Sequence, residues 1–169
     1  SGDYIPNTPI ALSFDQQGAN ENILSWSAFT NASDPYEPIF IGNPFSPMAF
    51  YIIEAKIDGQ DLESGDNIYI FDETDVVSSK FTIDDIPSTN NPKQINASAD
   101  DGSSNGFTEG HTVKFKVWIN SENGNDQYAG REYLANVEYY NFYTLEYLGN
   151  NMTFLGLGGP YRIKLSLES

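Results

Sequence analysis

Ala99 to Ile119 reads ADDGSSNGFTEGHTVKFKVWI, and its second half decides the fold. Val113, Phe115, Val117 and Ile119 alternate with Lys114, Lys116 and Trp118. A period of two belongs to a strand, whose successive side chains point to opposite faces. The first set marks a face for a core. The second puts an indole beside two ammonium groups on the face expected to meet solvent. The first half of the stretch is an acidic loop punctuated by glycine.

The same alternation recurs on either side. Between Phe50 and Ile57, Tyr51, Ile53, Ala55 and Ile57 fall on one side and Ile52, Glu54 and Lys56 on the other. Asp58-Gly59 then signals a turn, because both residue types tolerate positive φ. Asn67 to Phe71 is a short apolar run that fits a strand buried on both faces. Ile10 to Phe14 and Ser79 to Ile83 read as further short strands. Tyr133 to Leu148 reads as two strands so rich in aromatics that rings must fall on both faces. Tyr161, Ile163, Leu165 and Leu167 alternate with Arg162, Lys164, Ser166 and Glu168 in a closing strand with one wet face. Pro35, Pro38, Pro44 and Pro47 exclude helix from residues 31–48. Residues 84–92, 100–110 and 120–127 read as loops. No segment holds a capped amphipathic helical period. The expectation is an all-β protein, an antiparallel β-sandwich of jelly-roll type. Residues 1–9 read as a linker or entry arm and residues 10–169 as one β-sandwich module.

Composition bounds the function. A chain of 169 residues with 39% hydrophobic content can bury one real core. Twenty-four acids against eight bases give a net charge of -16, which repels phosphate backbones and anionic lipid. Nucleic acid and membrane surfaces are therefore poor partners, and no apolar run has the length of a membrane span. The absence of cysteine excludes disulfides, thiolate metal sites and cysteine nucleophiles. His111 is the only histidine, so a histidine-rich zinc site is excluded, and nothing around it supplies a serine triad. A solvated side chain is the expectation there. No two of the acids are marked as apposed across a cleft for glycoside cleavage. No enzyme is expected.

Two places carry candidate chemistry. Asp101-x-Ser103-x-Asn105-Gly106, with Asp100 before it and Glu109 after, sets oxygen side chains at alternate positions ahead of a glycine. That is the first half of a calcium loop, although Thr112 does not supply the closing glutamate of an EF-hand. The other reading is an Asx-rich turn that satisfies its own backbone. Trp118 is the second candidate. An outward indole stacks on the apolar face of a sugar ring, and Lys114 and Lys116 can donate to hydroxyl oxygens. The alternative is that the proline-rich segment 31–48 covers this face and makes Trp118 part of a second core. Arg162 and Lys164 join such a site only if their strand shares its sheet.

Several stretches carry a resemblance when taken in order: Gly42-Asn43-Pro44-Phe45-Ser46-Pro47-Met48, Ile57-Asp58-Gly59 with Leu62, Gly65-Asp66-Asn67-Ile68 leading to Phe71-Asp72, and Ala97 to Gly102. They continue with Gly106-Phe107-Thr108-Glu109-Gly110 and Phe115-Lys116-Val117-Trp118. Over about residues 40–120 the chain resembles a β-sandwich module of large secreted and cell-surface proteins of Bacteroidetes-type bacteria. There the module is repeated or accompanies polysaccharide-degrading or adhesive domains. The resemblance implies an exported, modular, β-rich protein and neighbouring domains; it supplies no catalytic residues. After Asp72 the chain departs from the pattern, with Glu73-Thr74-Asp75 where a glycine-containing turn is usual.

Together these readings lead to an expected function. The chain is expected to be a non-catalytic carbohydrate-binding module, extracellular or at the cell surface. Its partner would be a polysaccharide or glycan held at Trp118, Lys114 and Lys116. Calcium at Asp100, Asp101, Ser103, Asn105 and Glu109 would stiffen the loop. The competing expectation is a structural or adhesive spacer with calcium-dependent rigidity.

Overall fold

The computed structural model describes Tyr36, residues 44–120 and residues 126–169. The chain divides into two units, Ser1–Ser33 and Asp34–Ser169. The first unit lies outside the described residues, as do the expected entry arm at residues 1–9, the expected strand at Ile10 to Phe14, and the Asn-Gly turn within residues 120–127.

The second unit is all-β among its described residues, apart from one 3-10 turn at Asp126–Tyr128. Its strands are β1 (Met48–Ile57), β2 (Gln60–Asp61), β3 (Asn67–Asp72), β4 (Val77–Thr82), β5 (Lys93–Ala97), β6 (Val113–Trp118), β7 (Glu132–Leu134), β8 (Asn136–Asn141), β9 (Tyr147–Gly149) and β10 (Tyr161–Leu167). A six-stranded sheet runs β2-β1-β10-β8-β9, with β5 beside the first half of β1. A four-stranded sheet runs β4-β3-β6-β7. Every ladder between these strands is antiparallel except that of β1 with β10, which is parallel. That pairing departs from the wholly antiparallel arrangement expected from the sequence.

The core lies between the sheets. The phenyl rings of Phe50 on β1 and Phe115 on β6 meet edge to face at 5.6 Å, and both are fully buried. Val113, Phe115 and Val117 point inward with Ile68 and Ile70 of β3, against Ile163 and Leu165 of β10. Phe107 and Phe154 stack at 4.9 Å within the same cluster. The Asp58-Gly59 turn has φ of 47° and 83°, the left-handed pair that a two-residue hairpin demands.

One strand departs from simple alternation. The register of β1 against β10 skips Ile53, between Ile52 and Glu54. An extra residue in a strand shifts the phase of every residue after it. Met48, Phe50 and Ile52 therefore face the core before the bulge, and Ala55 and Ile57 after it. This corrects the grouping of Tyr51 with Ala55 and Ile57: Tyr51 lies on the opposite face from Phe50 and Ile52, away from the core.

Candidate functional site

Strand β6 holds Lys114, Lys116 and Trp118 on the outer face of the four-stranded sheet, all partly buried. That face is already furnished. Tyr69 and Phe71 of β3 are 0% and 1% exposed, and Tyr36 packs edge-on against both at 5.2 and 5.1 Å. The Tyr36 hydroxyl donates to Glu132 of β7, which pushes its pKa up to about 12. Lys114 Nζ donates to Asp75 at 2.8 Å. Lys116 Nζ lies 3.7 Å from Asp75, 4.0 Å from Glu132 and 4.4 Å from the centre of the Phe71 ring. Both ammonium groups are thus committed to carboxylates of the β3–β4 turn and of β7. Hydrogen bonding and charge from Lys114, with charge from Lys116, hold the Asp75 carboxyl below its usual range. A residue of the proline-rich segment, Tyr36, does cover part of this face.

The acidic loop closes on itself. Asp100 Oδ1 accepts from the amides of Gly102 and Ser104 at 2.8 and 3.0 Å, and Asp101 Oδ1 from that of Ser103 at 3.1 Å. Asn105 Oδ1 accepts from the Asp101 amide at 3.3 Å, and Glu109 reaches away to the Gly156 amide at 2.8 Å. These backbone bonds hold Asp100 below the usual carboxylate range. Among the described residues no three acidic or histidine side chains are placed to share a metal ion. Gly106 has its own reason to be glycine: a Cβ there would lie 2.5 Å from the Ala99 carbonyl oxygen. The geometry is that of Asx turns, which need no cation. Adding EDTA to the purified protein should leave its melting temperature unchanged. Stabilisation by added calcium beyond that given by the same ionic strength of sodium would show that these oxygens turn to an ion.

His111 is not the free, solvated side chain expected. Its Nδ1 sits 2.8 and 3.0 Å from the two carboxylate oxygens of Asp72, which is 1% exposed. Asp72 also accepts from the Thr74 amide and hydroxyl at 3.0 and 2.6 Å and from the Thr108 amide at 3.2 Å. The departure at Glu73-Thr74-Asp75 is a tight turn, with Asp75 at φ 71° in the position a glycine would favour. The pair ties this turn to the end of the acidic loop.

Among the described residues, the most open aromatic surface lies on the other sheet. The register places Tyr51 of β1 beside Arg162 of β10, Arg162 beside Tyr140 of β8, and Tyr140 beside Tyr147 of β9. Ile163 and Leu165 point inward from β10, so Arg162 and Lys164 point outward with this row. The Arg162 guanidinium lies 4.7 Å over the Phe142 ring, and its Nε donates to the Phe142 carbonyl at 2.9 Å. Lys164 Nζ lies 5.4 Å over the Tyr140 ring. Tyr51 packs on Phe142 at 5.0 Å and Tyr140 on Tyr147 at 5.7 Å. Tyr140 donates to Glu138 at 2.5 Å, which pushes its pKa up to about 12. Tyr143 and Tyr147 remain 81% and 52% exposed. An Asx turn fixes the tip, with Asn141 Oδ1 accepting from the amides of Tyr143 and Thr144, both at 2.9 Å.

This face joins residues that the sequence leaves apart. Arg162 and Lys164 belong to the six-stranded sheet, whereas Trp118 belongs to the four-stranded one. The wet phase of β10 and the aromatic excess of Tyr139 to Tyr147 were the available signals. Their pairing was not, because strand partners are set by contacts distant in sequence. Compared with known proteins, the chain matches no family model, no curated protein and no solved structure.

Proposed function

We propose that residues 34–169 form a non-catalytic carbohydrate-binding module of an exported bacterial protein, and that its ligand lies on the outer face of the six-stranded sheet. One observation carries this reading: the row Tyr51, Arg162, Tyr140 and Tyr147, laid across four neighbouring strands. At about 4.8 Å between strands the row spans about 14 Å. A sugar ring offers an apolar face of C–H groups and an edge of hydroxyls. Phenol rings take the face, while a guanidinium and an ammonium donate to the edge. Each ring already leans on a neighbour and each cation on a ring, so binding orders few side chains anew. The net charge of -16 disfavours sulfated or uronic polymers and points to a neutral polysaccharide. Calcium takes no part in this mechanism.

A glycan array tests the reading. The wild-type protein should retain at least one neutral polysaccharide. Tyr143→Ala and Tyr147→Ala should each lower affinity about tenfold, equivalent to about 1.4 kcal/mol. Exposed as they are, both variants should melt as the wild type does. Undiminished binding by both would remove this face as the site.

A second reading, a structural or adhesive spacer of a long cell-surface protein, is favoured by the parallel pairing of β1 with β10. That pairing places the start of β1 and the end of β10 at opposite ends of the sheet, as suits modules threaded in a string. The spacer reading predicts that no glycan is retained.

A further inference from the structure

One end of the six-stranded sheet turns apolar side chains out to water. There Met48, the first residue of β1, lies beside Ala97, the last of β5, and Tyr161, the first of β10, lies beside Asn141, the last of β8. The loops at 44–47, 142–146 and 150–160 therefore meet at this end, and the acidic loop leaves from it after β5. Backbone bonds fasten them together. The Leu157 amide donates to the Ser46 carbonyl at 3.3 Å, the Gly158 amide to the Leu155 carbonyl at 2.8 Å and the Ala99 amide to the Phe45 carbonyl at 2.8 Å. Glu109 takes the Gly156 amide at 2.8 Å. On this fixed frame Phe45, Leu155 and Leu157 are 49%, 58% and 76% exposed. Apolar side chains gathered on the surface mark a place of contact.

Leu157 carries the point further. Its φ of 64° lies in the left-handed region, where a Cβ crowds the carbonyl that follows. Gly156, Gly158 and Gly159 surround it, yet the strained position itself is a leucine. Leu145, in the loop after β8, repeats the combination with φ of 63° and 47% exposure. Packing within the fold does not offset this strain, because most of each side chain meets water. Strain held in that way belongs to sites that engage a partner.

The surrounding charge selects the partner. Residues 44–47, 98–112 and 142–160 hold Asp100, Asp101, Glu109 and Glu146 and no lysine or arginine. A second copy would bring these acids, and a net charge of -16, against their like. Anionic lipid is repelled for the same reason. Aliphatic side chains interleaved with lysine or arginine match both the apolar centre and the acidic surroundings.

We infer that this end of the sandwich docks a segment of a partner protein in which aliphatic residues alternate with basic ones, the aliphatics resting on Phe45, Leu155 and Leu157. The inference does not depend on the carbohydrate reading.

The test titrates isotopically labelled protein with a short synthetic peptide of alternating lysine and leucine, read by amide chemical shifts. Saturable shifts should map to Phe45 and to residues 155–158, and affinity should fall as sodium chloride is raised. Leu157→Gly should weaken binding at least fivefold without lowering the melting temperature, because glycine accepts the left-handed backbone. Leu155→Ser should weaken it likewise, whereas Leu134→Ser, exposed on β7, should leave it unchanged. A lysine-serine peptide that bound as tightly would reduce the attraction to charge and overturn the proposal. Unchanged affinity in Leu157→Gly, or no saturable shift with the lysine-leucine peptide, would overturn it as well. Self-association, or binding to phosphatidylcholine vesicles, that is lost in Leu157→Gly would assign the surface to a second copy or to lipid instead.

Discussion

Phe115→Ala is expected to destabilise the protein by about 3–5 kcal/mol. Phe115 is fully buried, and its ring closes edge-on against Phe50 from the opposite sheet. Removing it deletes the apolar area that binds the sheets together and leaves a hole that backbone on both sides cannot fill. For a unit of this size the melting temperature should fall by roughly 10–15 °C. Lys114→Ala, one residue away on the outer face, should change stability by no more than about 1 kcal/mol, because its partner Asp75 is exposed. If the two variants melted alike, the inward phase of β6 would be wrong, and with it the division of the molecule into a core and two outer faces.

Asp72→Ala is the second large effect, at about 3 kcal/mol near pH 6. The carboxylate serves the Thr74 amide and hydroxyl, the Thr108 amide and the His111 ring. Alanine removes the acceptor for all of them at once. The pair also sets a pH dependence. Hydrogen bonding and charge from Asp72 raise the His111 pKa above its usual 6.5, with Glu73 adding to the charge. That contribution is fully present below about pH 6.5 and is lost as pH rises through the raised value. Burial pushes the Asp72 carboxyl up, but hydrogen bonds from Thr74, His111 and Thr108 outweigh it and hold it below its usual 3.8. That contribution is present above about pH 3.8 and is lost as pH falls through the lowered value. The pair therefore stabilises most between about pH 4 and 6.5. Repulsion among the excess acids also eases as pH falls, so the comparison that isolates the pair is wild type minus Asp72→Ala across pH. That difference should shrink on the alkaline side, and one that stays constant from pH 6 to 9 would contradict the assignment.

The two-residue period in β6 and β10 was legible because each strand has one buried face and no irregularity. Strand β3 was legible for the opposite reason, a run buried on both sides. Strand β5 carries little signal of its own. Lys93, Gln94 and Asn96 leave only Ile95 and Ala97 to suggest it, and its place beside β1 comes from pairing rather than propensity. In β1 the bulge at Ile53 broke the alternation, and nothing in MAFYIIEAKI marks where the extra residue falls. Residues 133–148 read as two strands, whereas three occur, because Ala135 is a crossover between sheets within an unbroken β-like sequence.

The candidate site was only half legible, for a related physical reason. Alternation tells which side chains leave the core, but not what they meet outside it. Lys114 and Lys116 do point outward, and there they find Asp75, Glu132 and the rings of Phe71 and Tyr36. Arg162 and Lys164 leave the core in the same way, and there they find Glu54, 3.8 Å from the Lys164 ammonium, and an aromatic row whose outer tyrosines are still open to solvent. His111 gave no local hint of Asp72, 39 residues away. The acidic loop matches both an ion site and a set of Asx turns in sequence, and its side-chain oxygens accept from the loop's own amides.

The most direct test compares the two outer faces in one binding experiment. Affinity-gel electrophoresis with a neutral polysaccharide retained by the wild type should show binding lost in a Tyr140→Ala/Tyr147→Ala double variant and kept in Trp118→Ala, with both proteins folded. Binding lost in Trp118→Ala and kept in the double variant would contradict the account and move the site to the four-stranded sheet.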